Sequence, residues 1–86
     1  MTDVIIVYNE PKQIEKFENN QTLKFKFIDS KTTKGKKEAL RVKSHYAAKL
    51  EPFAVVLDNS KPIRAFYSEA EDVIKALSDY LKENDY

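Results

Sequence analysis

Two uninterrupted apolar runs, at residues 4–8 and 53–57, constrain the fold of this chain more than any other feature. Both consist mainly of β-branched and aromatic residues. A strand sends successive side chains to opposite faces of a sheet, so a strand without polar residues must be covered on both faces. The two runs therefore predict two central strands of one sheet, with helices on both of its faces.

Two other segments have the patterns of edge strands. Across residues 23–28 apolar side chains alternate with lysines, which gives one apolar and one solvated face and discourages pairing with another chain. Residues 58–62 form a turn cluster, and residues 63–67 follow as the second strand of a β-hairpin that Pro62 opens. These segments predict the two edges of the sheet.

Two helices are predicted between the strands. The first is short: Pro11 suits a first helical turn, Ile14 and Phe17 share one face, and two asparagines then end it. The second spans residues 36–50, where no helix-breaking residue occurs. Its apolar stripe consists of Leu40, Ala47 and Leu50, with Ala39 and Tyr46 beside them.

A third helix, near the C-terminal end, has the clearest pattern. Ser68 and Glu71 fit a capping box, in which their side chains satisfy free amide groups at the helix start. We interpret the acidic residues of this stretch as favourable charges in the first turn rather than as a metal or acid–base site; they are Glu69, Glu71 and Asp72. The apolar residues that follow have helical spacing: Val73, Ile74, Leu77, Tyr80 and Leu81.

The order of these elements predicts the topology. A chain of 86 residues builds one core, so we expect a single domain, residues 1–86, with the order β-α-β-α-β-β-α. Placing the apolar strands in the centre gives a four-stranded mixed sheet in the order 2-1-3-4. The first crossover is long enough to join parallel strands, whereas the hairpin is antiparallel.

Composition excludes several kinds of chemistry. The chain has no cysteine, which removes disulfides, thiolate nucleophiles and cysteine-based metal sites. One histidine, His45, leaves little for zinc and is expected on a helix surface. One glycine is too few for the glycine-rich phosphate loops. We therefore expect no cofactor, no metal and no catalytic residues.

Charge is balanced overall and uneven along the chain. There are 15 basic and 14 acidic side chains, but residues 31–49 carry seven basic residues against Glu38, and residues 69–85 carry six acidic residues against two lysines. This bipolarity permits head-to-tail self-association. It also supports one alternative function, phosphate contacts of a nucleic-acid-binding accessory protein, through a candidate basic face of Lys34, Lys36, Lys37, Arg41 and Lys43.

The N-terminal residues predict a location. They lack the basic segment and the long apolar segment of a signal peptide, and no stretch approaches the roughly 18 apolar residues of a membrane span. We expect a cytoplasmic protein that does not contact membranes.

A resemblance to a known class becomes specific at residues 50–59, where a helix end, a proline, a buried strand and a turn follow one another. The chain resembles thioredoxin-like and glutaredoxin-like proteins from Val4 to Leu81. The resemblance implies an α/β thioredoxin-like fold and a cis peptide bond between Glu51 and Pro52. It departs from the redox members at residues 8–13, where they carry Cys-x-x-Cys and this chain has no thiol. Thiol–disulfide exchange needs a thiolate and is therefore excluded.

The resemblance also implies a binding groove between the first strand, the first helix and the proline loop. We expect a redox-inactive, non-enzymatic module that uses this groove for protein–protein contacts or a structural role, as would suit a phage or bacterial accessory protein. The candidate groove consists of Tyr8, Pro11, Lys12, Glu51, Pro52 and Phe53. A second alternative is a glutathione-binding or transferase-like remnant acting through Tyr8 or Asn9.

Overall fold

A computed structural model describes all residues, 1–86, of the chain. Four strands and two α-helices make up the fold: β1 (Thr2–Tyr8), β2 (Lys24–Asp29), α1 (Thr33–His45), β3 (Phe53–Asp58), β4 (Lys61–Tyr67) and α2 (Val73–Glu83). Two short 3-10 helices, Pro11–Gln13 and Glu15–Phe17, stand between β1 and β2. Neither α1 nor α2 combines the length and the apolar character that crossing a membrane requires.

The sheet has the predicted order, β2-β1-β3-β4. β1 is parallel to β2 and antiparallel to β3, and β3 is antiparallel to β4. The hairpin turn is formed by Asn59 and Ser60, both left-handed with φ of 51° and 69°, which matches the right-handed twist of the flanking strands. The two all-apolar runs are thus the central strands, as their composition requires.

One face of the sheet is covered by α2 and the 3-10 segment. The predicted stripe on α2 is confirmed, because Val73, Leu77 and Leu81 are buried there against the sheet. Ile14 and Phe17, three residues apart, are also buried on this side. Ile14 joins the two 3-10 turns and Phe17 ends the second, so the short helix predicted there is two 3-10 turns and not an α-helix.

The other face is covered by α1, which begins earlier and ends earlier than predicted. Thr32 caps it, since its Oγ1 accepts a hydrogen bond from the Gly35 amide at 2.9 Å. Helix positions 35, 39 and 42 face the sheet, and Ala39 is buried. The predicted stripe is wrong, because Leu40 and Leu50 are 65% and 52% exposed.

Gly35 explains why α1 turns its small residues inward. A Cβ atom at this position would lie 1.9 Å from the Asp29 carbonyl oxygen. The helix therefore approaches the end of β2 closer than any side chain permits, and this contact fixes its rotation.

The capping box predicted before the last helix is also wrong. Asp72 is the cap of α2, and its Oδ1 accepts a hydrogen bond from the Lys75 amide at 3.3 Å. Ser68, Glu69 and Glu71 precede the helix and bind other parts of the chain.

Candidate functional site

The C-terminal end of β1 meets the loop before β3, and this is where the candidate groove was predicted. Val7 pairs with Phe53 across the two strands, and the Glu51–Pro52 peptide bond is cis, as the resemblance implied. Tyr8, Glu51 and Pro52 are half-buried at this end of the sheet.

Phe53 does not line a groove, and that prediction was wrong. It is 0% exposed, and its ring packs against the rings of Tyr46 and Tyr67 with centroid distances of 5.5 Å and 5.2 Å. Phe53 begins an all-apolar central strand, so its side chain points into the core beneath α1.

Pro11 and Lys12 are exposed at the start of the 3-10 segment. Lys12 lines a shallow concavity together with Lys16, the cap residue Asp72 and the first turn of α2. It therefore faces the start of α2. The surface that the structure assembles around the cis-proline consists of Tyr8, Asn9, Glu51 and Pro52, and we refer to it as the Pro52 surface.

The Glu51 carboxylate links three elements of this surface. It accepts a hydrogen bond of 2.5 Å from Ser30 Oγ, just after β2, and it pairs with Lys43 Nζ on α1 at 2.7 Å. Burial alone would raise the pKa of Glu51, but the hydrogen bonds from Lys43 and Ser30, the Lys43 charge and the Asn9 amide outweigh it and lower that pKa. Glu51 thus stays ionised and holds its loop against β2 and α1.

The loop is fixed from the other side by the segment before α2. Ser68 Oγ donates a hydrogen bond of 2.5 Å to the Pro52 carbonyl oxygen. The Glu69 carboxylate accepts hydrogen bonds from the Lys49 and Leu50 amides at 3.2 and 3.3 Å. Sequence reasoning missed these residues, because Ser68 and Glu69 fit a helix-start pattern that is complete without reference to the distant loop.

The backbone of Glu51 has two polar groups without a hydrogen-bond partner. Its neighbours on both sides are hydrogen-bonded through Leu50 N–H and Pro52 C=O. The N–H and C=O of Glu51 have no hydrogen-bond partner within the chain. A donor and an acceptor are therefore available in a loop that is held in place on both sides.

The segment where redox-active thioredoxins carry Cys-x-x-Cys is occupied in this chain by a hydrogen-bonded turn. The Asn9 and Glu10 amides both donate to Gln13 Oε1, at 3.0 and 3.2 Å. The phenol of Tyr8 is kept neutral, because burial, followed by the charges of Asp29 and Glu18, raises its pKa. No thiol stands at this end of β1, and no group of three or more metal-ligating side chains occurs in the chain.

The five residues of the candidate basic face do not form one surface in the structure. Lys34, Lys37 and Arg41 are exposed and line one concavity along α1. Glu38 lies among them and pairs with Lys26 at 2.5 Å; the hydrogen bond from Lys26 outweighs the opposing effect of burial, so the pKa of Glu38 is lowered.

The fifth member of the predicted face does not belong to it. Lys43 is paired with Glu51 and its side chain is only 19% exposed, so its assignment to a free basic face was wrong. Lys36 is exposed but lines a separate concavity with Ser30 and Glu51, beside the Pro52 surface.

The sheet order 2-1-3-4, the helices on both faces and the cis-proline before β3 define a thioredoxin-like fold. Among solved structures, thioredoxin 1 from the thermophilic eubacterium Thermosipho africanus TCF52B is similar to this chain, with a TM-score of 0.54 and 18% sequence identity over 98% of this chain and 99% of that chain. At this identity the similarity concerns the fold. No family model and no curated protein matches the chain. The absence of cysteine argues against thiol–disulfide oxidoreductase activity.

Proposed function

We propose that this chain is a redox-inactive interaction module that binds an extended segment of another protein, or of a second copy, at the Pro52 surface. The observation that carries the proposal is the unpaired backbone N–H and C=O of Glu51 in a loop that Ser68 and Glu69 hold in place. An extended peptide satisfies such groups through backbone hydrogen bonds, and a loop that is already fixed loses little entropy on binding.

Exposed apolar side chains next to this loop support the same proposal. Leu50 directly precedes Glu51 and is 52% exposed, and Leu40 is 65% exposed and lines a concavity with Glu51 and Ser30. Apolar side chains exposed beside a loop with unpaired backbone groups supply contact area whose burial favours peptide binding. They would contact the side chains of a peptide whose backbone pairs with Glu51.

The absence of cysteine makes the proposal directly testable, because one engineered cysteine is a unique labelling site. A random-peptide display library is selected against the natural chain. The selected peptide is then irradiated with three variants that carry a benzophenone on a single cysteine: Leu50→Cys, Lys37→Cys and Lys82→Cys. All three positions are exposed, and they report on the Pro52 surface, the basic face and α2, respectively.

The proposal predicts a photo-crosslink from position 50 and none from position 82. Crosslinking from position 37 alone would assign peptide binding to α1 instead. A library that yields no peptide would contradict the proposal. Competition by reduced glutathione would instead favour the small-ligand alternative through Tyr8 or Asn9. A sedimentation measurement on the same samples separates binding of a foreign segment from self-association.

One observation favours a second candidate function, nucleic-acid binding. Lys34, Lys37 and Arg41 are exposed at positions three and four apart on α1, so they present one cationic stripe. Phosphate binding by this stripe would weaken steeply with salt. The double variant Lys34→Glu/Lys37→Glu should abolish retention of a single-stranded oligonucleotide at low salt, and the control Lys61→Glu, in β4, should retain it. No retention by the natural chain at low salt would exclude this function.

A further inference from the structure

A concavity lies at the end of the sheet opposite the Pro52 surface, on the side that α1 covers. Its lining consists mainly of side chains from the first halves of β1 and β2 and from the end of the hairpin: Asp3, Ile5, Lys24, Lys26, Leu57 and Ser60. The register explains why they meet, since Asp3 pairs with Lys24 on one side and with Leu57 on the other. Ile5 is two residues further along β1 and so shares the same face.

This concavity exists because no helix covers this part of the sheet. On the opposite face, Val4 and Val56 are both 0% exposed beneath α2. On this face their neighbours in sequence, Ile5 and Leu57, are only half-buried. The floor of the concavity is therefore apolar and partly open to solvent.

The wall of this concavity includes the Asp3 carboxylate, which has no oppositely charged partner. Its Oδ1 atom is the one buried side-chain polar atom in the chain that lacks a hydrogen-bond partner, and its carboxylate takes part in no ion pair. A carboxylate that has lost part of its hydration without gaining a donor is unfavourable. An ammonium or amide donor that reached the other oxygen of this carboxylate would offset part of that cost through a charge-assisted hydrogen bond.

The lysines at the rim limit what such a ligand can be. Lys26 is engaged by Glu38, whereas Lys24 makes no ion pair. A simple cation would be repelled by the free Lys24 ammonium, and a simple anion by Asp3. The volume, about 230 Å³, is below the roughly 300–1,000 Å³ of sites for drug-sized ligands.

We infer that this concavity binds a small zwitterion of amino-acid size. Its ammonium lies on the Asp3 carboxylate, its carboxylate lies on the Lys24 ammonium, and its apolar part contacts Ile5 and Leu57. The site is separate from the Pro52 surface and does not depend on it.

The test is a titration of the ¹⁵N-labelled chain followed by amide chemical shifts, with L-leucine and its two halves, 3-methylbutylamine and 4-methylpentanoate, as probes. L-Leucine should give saturable shifts at the amides of Asp3, Ile5 and Leu57. Each half should bind about tenfold more weakly or worse, because each lacks one charge-assisted hydrogen bond. An absence of saturable shifts with L-leucine, or equal affinity for either half, would overturn the inference.

Variants separate this site from non-specific binding. Asp3→Asn should weaken L-leucine binding about tenfold or more by removing the charge that holds the ammonium, whereas Asp58→Asn, an exposed acid of β3 outside the concavity, should leave it unchanged. Lys24→Gln, at an exposed edge position, provides the same test at the other charge should Asp3→Asn fail to fold. L-Leucine affinity that is equal in the natural chain and in the folded charge variants would contradict the assignment.

Discussion

The two faces of the sheet are built from the same strands but are covered very differently. On the α2 face ten residues form one buried cluster that extends along the sheet, including Val4 and Val56. On the α1 face six residues form a smaller cluster, which includes Val7 and Phe53 near the Pro52 surface. The difference arises from α1, whose buried positions are Gly35 and Ala39.

This comparison separates stability from binding. The α2 face has large apolar side chains on the helix, so its packing should supply most of the hydrophobic stabilisation. On the α1 face the helix leaves surface uncovered at both ends of the sheet. The loop around Pro52 lies at one end, and the concavity at Asp3 lies at the other. Both surfaces proposed for binding thus flank the helix that packs through small residues.

Removal of packing on the α2 face should have the largest effect on stability. Leu77 is 0% exposed in the α2 cluster, so Leu77→Ala should lower the free energy of unfolding by about 3 kcal/mol. Urea denaturation measures this change. A loss below about 1 kcal/mol, the range expected for a side chain that is not fully packed, would mean that α2 does not dominate stability.

Adding a methyl group at Gly35, where α1 approaches the Asp29 backbone, should have the next largest effect on stability. Gly35→Ala places a methyl group 1.9 Å from the Asp29 carbonyl oxygen, and the shift of α1 should cost about 2 kcal/mol. Ser44→Ala, at an exposed position of the same helix, is the control for helix propensity and should change stability by less than about 0.5 kcal/mol. A stabilising Gly35→Ala would show that α1 is free to move outward.

The Glu51 carboxylate should have a moderate, pH-dependent effect. Its pKa is lower in the folded chain than in the unfolded chain, so its stabilisation is present above the unfolded value of about 4.3 and is lost as pH falls through the folded pKa. At neutral pH Glu51→Gln should cost about 1–2 kcal/mol, because it weakens two hydrogen bonds of the carboxylate.

Chemical denaturation as a function of pH measures this contribution. The difference between Glu51→Gln and the natural chain should shrink as the solution becomes more acidic. Glu83→Gln, which alters an exposed residue at the end of α2, should behave like the natural chain throughout. A difference that stays constant with pH would exclude the carboxylate as its source.

Truncation of the exposed leucine on α1 should have the smallest effect on stability. Leu40→Ala should change the free energy of unfolding by less than about 0.5 kcal/mol, because Leu40 is 65% exposed. The same variant should weaken binding of the selected peptide, since Leu40 lies beside Glu51. A large loss of stability would place Leu40 in the core, and unchanged peptide affinity would remove it from the binding surface.

The sequence predicted the α2 face better than the α1 face for a physical reason. Val73, Leu77 and Leu81 are large and regularly spaced, so only one rotation of α2 buries them. In α1 the hydrophobicity pattern favours burial of Leu40, but the contact between Gly35 and the Asp29 backbone turns Ala39 inward instead. A close approach between two backbone segments cannot be recognised from a pattern of hydrophobicity.

At the candidate site the sequence predicted the cis bond between Glu51 and Pro52, through the resemblance rather than through any local pattern. Ser30 and Ser68, which hold their loop, are 21 and 16 residues away from their partners in the sequence. Contacts of this kind depend on the folded topology, and no spacing rule within one segment reveals them.

The most direct test of the proposed binding function is the hydrogen-exchange rate of the Glu51 amide, measured by NMR with and without the selected peptide. This N–H has no partner within the chain, so it should exchange readily in the free protein and slow down in the complex, when the peptide backbone accepts its hydrogen bond. Unchanged exchange at Glu51 in a saturated complex would contradict the proposal that the Pro52 surface binds an extended segment.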